Sequence, residues 1–193
     1  MKKLLFINAC VNRGTSRTYR VGKELVSLLK KSGGFDVCEL VLEKENIQAL
    51  TSETLNKKLE LAEKNEFSNE LFRYANQFKE ADCIVIASPY WNFGFPAILK
   101  IYIEAVSVPG IVYRYGEWGY PIGLCKAEKI YYVTTRGGYV GDEKDLGYAA
   151  IVEIAQQYGI TGTKCIGVDG LDILVNDVEA LVKKTLENLP NQI

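Results

Sequence analysis

The sequence predicts an α/β fold, a doubly wound five-stranded parallel sheet held between two layers of helix. Three observations predict it. Short apolar runs alternate with longer amphipathic segments along the chain. Runs such as CIVIA (83–87) are apolar on both faces, as in a parallel sheet covered on both sides. β-α-β crossovers keep one hand, which leaves a three-layer sandwich. At 193 residues the chain suits one domain, read as 1–193, large enough to bury well over half of its unfolded surface.

The elements follow in order. KLLFINA (3–9) is the first strand, and a helical pattern runs from Thr18 to Lys31. FDVCELVL (35–42) is the second strand. Between Glu43 and Glu80 the crossover holds too many residues for one ordinary helix, and the polar stretch from Thr51 to Lys79 reads as two, either an arm toward a partner subunit or a solvated pair. CIVIAS (83–88) is the third strand, followed by a helix from Pro96 to Val106, with Pro96 in its first turn. GIVYRYGEWGYPIGL (110–124) breaks the alternation, with three tyrosines and a tryptophan among glycines. KIYYVTT (129–135) and KCIGVDGL (164–171) are the last strands, separated by a helix from Leu146 to Tyr158 and followed by one from Val178 to Leu189.

Composition narrows the function. The apolar fraction of 48% and charged fraction of 24% are those of an ordinary globular protein. A net charge of −1 draws the chain to neither nucleic acid nor anionic lipid. MKKLLFINAC is too short in its apolar part for a signal peptide, and no apolar stretch is long enough to span a membrane, so a cytoplasmic setting is expected. The five cysteines are odd in number and lack a C-x-x-C pair, which argues against disulfides or zinc. They read as small core residues. There is no histidine, so the commonest general base, metal ligand and nucleophile partner are missing. Any chemistry belongs to a bound cofactor.

In doubly wound sheets a ligand lies beyond the carboxyl ends of the strands, where strand order reverses. The loop after the first strand, NACVNRGTSRT (8–18), is neither G-x-G-x-x-G nor a P-loop. It offers the Thr15, Ser16 and Thr18 hydroxyls beside a helix N-terminus, with Arg13 or Arg17 to add a charge-assisted bond, as a phosphate site would need. The alternative is that Ser16 or Thr18 only caps the helix. After the third strand, Pro89, Tyr90, Trp91, Asn92 and Phe93 combine flat apolar walls with amides that can pair with a planar heterocycle such as an isoalloxazine, although an aromatic cluster could simply seal the sheet edge. After the fourth strand, TTRGG (134–138) has consecutive glycines that let backbone N–H groups approach a ligand and stabilise negative charge on a reduced flavin. A plain flexible turn is the other reading.

With SRT at 16–18, SPYWNF at 88–93 followed by PAILK, the Arg114–Tyr115 pair and TTRGG at 134–138, the chain resembles the FMN-dependent NADH:quinone oxidoreductases and azoreductases of the flavodoxin-like superfamily over most of its length. The resemblance implies strand order 2-1-3-4-5 and FMN as cofactor. It places Ser16, Arg17 and Thr18 at the phosphate, Tyr90 to Phe93 on the ring, and Thr135, Arg136, Gly137 and Gly138 at the ring edge. Cys10 stands where the family often has serine, which removes one phosphate hydroxyl. Trp91 replaces the commoner tyrosine and loses the phenol. A homodimer with the flavin near the interface is also implied, with the aromatic loop of Tyr113, Tyr115, Trp118 and Tyr120 capping the flavin or a flat substrate, or else packing the dimer.

The expected reaction is ping-pong: NADH or NADPH delivers hydride to the flavin and leaves, and a quinone, azo dye or other flat acceptor takes the electrons from the same face. A flavodoxin-type electron carrier and a non-catalytic flavin-binding sensor are the rival readings.

Overall fold

The computed structural model describes residues 1–12 and 14–193; Arg13 lies outside the described residues. Five strands, β1 (Lys3–Asn8), β2 (Asp36–Val41), β3 (Cys83–Ala87), β6 (Lys129–Thr135) and β7 (Gly162–Val168), form one sheet in the order β2-β1-β3-β6-β7. Every pairing in it is parallel. Two further strands, β4 (Tyr113–Tyr115) and β5 (Pro121–Gly123), lie outside this sheet and pair with each other. Counted without them, the sheet has the expected 2-1-3-4-5 order.

Side-chain alternation divides the core between the two faces of the sheet. Leu5, Ile7, Ile84, Ile86, Ile130 and Tyr132 face one cluster, which takes in α3 (Arg73–Lys79), α4 (Ala97–Val106) and α5 (Leu146–Gln157). Leu4, Phe6, Val85, Tyr131 and Val133 face the other, beneath α1 (Arg17–Gly33) and α6 (Val178–Asn188). β3 lies at the centre and is buried along its whole length, which is why CIVIA carries no polar alternation.

The long second crossover does hold two helices, α2 (Ser52–Glu63) and α3. Thr51 and Thr54 close a reciprocal capping box at the head of α2. Pro96 is the N-cap residue of α4 and not part of its first turn. Of the cysteines expected in the core, Cys10 and Cys83 are buried, Cys125 and Cys165 are half-buried, and Cys38 is exposed on the edge strand β2.

Residues 110–124 contain the β4–β5 hairpin. α4 carries the chain back from the carboxyl end of the sheet to its amino end, so the hairpin is built there. Cys125 N–H bonds to Tyr158 O, Lys126 N–H to Lys79 O and Glu128 N–H to Asp82 O, all just ahead of strand starts. Gly123 lies against Gly159 so closely that a Cβ on it would stand 2.0 Å from the Gly159 nitrogen. Among the described residues no helix is long and apolar enough to cross a membrane, and no acidic, histidine and cysteine grouping could hold a metal.

Candidate functional site

The order β2-β1-β3-β6-β7 reverses direction between β1 and β3, and the loops leaving β1, β3 and β6 meet above that point. They enclose an open crevice of about 240 Å³. Cys10, Val11, Asn12 and Thr15 to Thr18 line it from the first loop, Pro89, Tyr90 and Trp91 from the second, and Thr135, Arg136 and Gly137 from the third. Leu171 and Asp172, from the loop after β7, complete the wall.

One end of the crevice suits an anion. α1 begins at Arg17 with no acidic residue in its first turn, and its leading N–H groups have no carbonyl within the helix to bond. Ser16 is the N-cap, accepting from Tyr19 N–H at 3.1 Å. The cap uses a lone pair and leaves the O–H proton available to an anion, so capping and anion binding are compatible. Thr18 is buried, its Oγ1 2.6 Å from that of Thr135. Arg17 reaches Glu179 at 3.8 Å, but both side chains are largely exposed, so the pair is weak and does not commit the arginine. Cys10 is buried with Sγ 3.6 Å from Ala87 O, and its N–H donates to Asn8 Oδ1. Its thiol is turned toward the sheet.

The other end is aromatic. Trp91 and Gly94 exchange backbone bonds of 2.9 and 3.0 Å, forming a tight turn with Asn92 (φ 50°) and Phe93 (φ 65°) at its centre. Left-handed backbone is uncommon for Asn and strained for Phe, and such strain concentrates at functional loops. Phe93 is 76% exposed. Tyr90 and Trp91 line the crevice, whereas Asn92 and Phe93 form the turn's tip outside it.

At the third loop the side chain of Arg136 turns away from the crevice. It is 1% exposed and donates to Asp145 Oδ2, Asp169 Oδ1 and Asp142 Oδ1, each at 2.8 Å. Burial disfavours its charge, but the bonds to the three carboxylates outweigh that and hold its pKa above the usual value. Asp145 also caps α5 through Tyr148 N–H at 2.9 Å, and Asp169 accepts from Val140 and Gly141 N–H at 3.1 and 2.7 Å. The guanidinium therefore fixes the loop from beneath, and only its backbone side faces a ligand. Gly138 does not line the crevice; its carbonyl accepts from Gly170 N–H.

The four aromatic residues of the hairpin do not reach the crevice of their own chain. Tyr113 is buried, stacked on Tyr158 with centroids 6.0 Å apart and edge-on to Tyr115. Tyr115, Trp118 and Tyr120 are exposed at the amino end of the sheet. The direction of α4 decides this, because it carries the hairpin a full helix length from the carboxyl ends of the strands.

Asp172 and Leu171 were missed by sequence reasoning. Only the pairing of β7 beside β6 brings their loop to the crevice, and no local signal in DGLDIL announces it.

Comparison with known proteins agrees with this fold. A family model described as a flavodoxin-like fold matches residues 2–193. An FMN-dependent NADH:quinone oxidoreductase of Clostridium perfringens (strain ATCC 13124) is 37% identical over 190 residues, covering 97% of this chain and 96% of the relative. FMN-dependent NADH:quinone oxidoreductase 2 of Clostridium acetobutylicum is 34% identical over 203 residues, covering 100% and 98%. Among solved structures, an azoreductase from Bacillus anthracis superposes with a TM-score of 0.87 at 23% identity, over 100% of this chain and 98% of that one. An FMN-dependent NADH-azoreductase from Bacillus anthracis, in complex with FMN, gives 0.80 at 20% identity, over 100% and 99%. At those identities the two structures speak to the fold.

Proposed function

The chain belongs to the flavodoxin-like fold family, and from that premise we propose that it is an FMN-dependent NAD(P)H:quinone oxidoreductase that also reduces azo compounds and similar flat acceptors. The observation that carries this reading is one crevice with a helix N-terminus and hydroxyls at one end and the Tyr90–Trp91 wall at the other. A phosphate and a flat heterocycle joined by a short chain match that pair of ends.

In this reading the Thr15 and Ser16 hydroxyls and the first N–H groups of α1 hold the phosphate, with Arg17 beside them and Thr18 bracing the site through Thr135. Tyr90 and Trp91 wall the flat rings, and the strained turn at Asn92 and Phe93 presents its tip at the mouth. Backbone groups of Thr135 to Gly137 meet the ring edge, held in place by Arg136. FMN, when bound, supplies the hydride chemistry. The protein positions each substrate over the ring and excludes water from the slot. NADH or NADPH and the acceptor use that slot in turn, and with no histidine in the chain, no imidazole takes part.

The macromolecular partner is a second copy of the chain. Tyr115, Trp118, Tyr120 and Ile122 leave an exposed apolar surface on the hairpin, and Trp91 and Phe93 leave another at the crevice mouth. Joining them across a dimer brings the hairpin aromatics to the flavin, which one chain alone does not. Neither nucleic acid nor membrane is a partner, and the setting is cytoplasmic, where thiols stay reduced.

Steady-state oxidation of NADH with a small quinone and no added protein tests the reading. Saturable turnover with parallel double-reciprocal plots is expected. Intersecting plots would exclude alternation at one slot. FMN binding without NADH turnover would favour an electron carrier, and protein that stays colourless after FMN is added would favour a non-catalytic role. Light scattering should give twice the chain mass.

A further inference from the structure

Among the described residues, Asp172 is the one carboxylate in the crevice wall. Its backbone is fixed: Asp172 N–H donates to Gly137 O at 2.9 Å, Leu171 N–H to Arg136 O at 3.1 Å, and Gly170 N–H to Gly138 O at 3.1 Å. Its side chain takes the place a residue other than glycine would fill at position 137. A Cβ there would meet Asp172 Oδ2 at 2.1 Å and Cγ at 2.8 Å. The carboxylate thus lies directly against the ring-edge loop. Its side chain is exposed to solvent. Among the described residues no ion pair includes Asp172; Arg136 is committed to three other carboxylates, and Arg17 and Arg20 lie beside Glu179 at the surface.

A carboxylate accepts hydrogen bonds and donates none. Ligand atoms beside it are therefore neutral donors, hydroxyl or ring N–H, and any gain of negative charge by the ligand is opposed. We propose that Asp172 is a potential-setting residue of the FMN crevice, which weakens the hold on the reduced cofactor relative to the oxidised one and so makes the holoenzyme a stronger reductant. This rests on the FMN reading above. It also reassigns Gly137, whose missing side chain makes room for the carboxylate.

The test is the midpoint potential of the holoenzyme, measured by spectroelectrochemistry beside fluorescence titration of oxidised FMN. Asp172→Asn keeps the shape and removes the charge. It should tighten the hold on reduced relative to oxidised FMN by about tenfold, a positive shift of roughly 30 mV for a two-electron couple. Gly137→Ala keeps the charge but pushes the carboxylate aside, and should move the ratio in the same direction. Adding it to Asp172→Asn should add nothing, because the two act through one group. Asp36→Asn, at the start of β2, removes a charge away from the crevice and should leave the ratio unchanged. A ratio within twofold of wild type for Asp172→Asn, with FMN still bound, overturns this inference alone. So does an equal shift from Asp36→Asn. A wild-type chain that takes up no FMN overturns the oxidoreductase reading itself, and this inference with it.

Discussion

The hydroxyls of Thr18 and Thr135 lie 2.6 Å apart although 117 residues separate them in sequence. One stands in the first turn of α1 and the other at the end of β6, so this single bond joins the anion end of the crevice to its ring-edge wall. Thr18→Val removes it with almost no change of shape. The expected loss is about 1 kcal/mol of unfolding free energy, because the half-buried Thr135 partly recovers a partner in water. Thr18→Val with Thr135→Val should cost little more than either alone in urea denaturation, since the two report one bond.

Arg136 and Asp145 form a pair closed to solvent. Removing the cation strands a carboxylate that is 0% exposed, so Arg136→Met should lose about 3–5 kcal/mol. Arg136→Lys should recover only part of this, since a lysine cannot fork to three carboxylates. Denaturant midpoints of the three proteins decide it, and a lysine variant as stable as wild type would show that charge alone suffices.

Ser16 separates capping from anion binding. Aspartate caps a helix as well as serine, so Ser16→Asp should keep unfolding free energy within about 0.5 kcal/mol, while Ser16→Ala loses about 1 kcal/mol. Toward FMN the expected order differs. Aspartate adds a like charge at the phosphate and should weaken binding more than alanine does. Fluorescence titration with FMN reads both, and equal affinity for wild type and Ser16→Asp would remove the phosphate from the head of α1.

Lys58 gives a pH dependence of defined sign. Its Nζ donates to the carbonyls of Glu104, Ala105 and Ser107 at 2.6, 3.3 and 3.4 Å, closing the end of α4. Burial lowers its pKa from 10.5 to about 8, against the opposing pull of Glu104. Between those two values the unfolded chain holds a proton that the folded chain has released, so this group adds stability as pH rises through the window and loses it as pH falls through 8. Stability of wild type minus that of Lys58→Met should therefore increase from about pH 7.5 to about pH 9.5. Paired urea titrations measure the difference, which cancels the tyrosines and thiols that titrate in both proteins.

Much of this was legible in the sequence. Local patterns dictate the strands and helices, and chain order alone pointed to the loops at 8–18, 88–93 and 134–138; of these, Cys10 to Asn12, Thr15 to Thr18, Pro89 to Trp91 and Thr135 to Gly137 line one crevice, while Asn92, Phe93 and Gly138 do not. What stayed hidden depends on contacts between distant segments. Arg136 reads as a ring-edge residue until Asp142, Asp145 and Asp169 are seen to surround it. Asp172 enters the wall only through the β6–β7 pairing. The aromatics of residues 113–120 look like part of the nearest site, yet α4 delivers them to the opposite end of the sheet.

The seating of Gly123 on Gly159 has a practical consequence for anyone who labels this protein. Backbone rests on backbone there, so even an alanine at 123 would act as a wedge and tilt the whole hairpin. The bend at Glu117 to Gly119 has open space around Gly119, so a fluorophore or epitope placed there would leave the base of the hairpin undisturbed while sitting on the aromatic face proposed for the dimer.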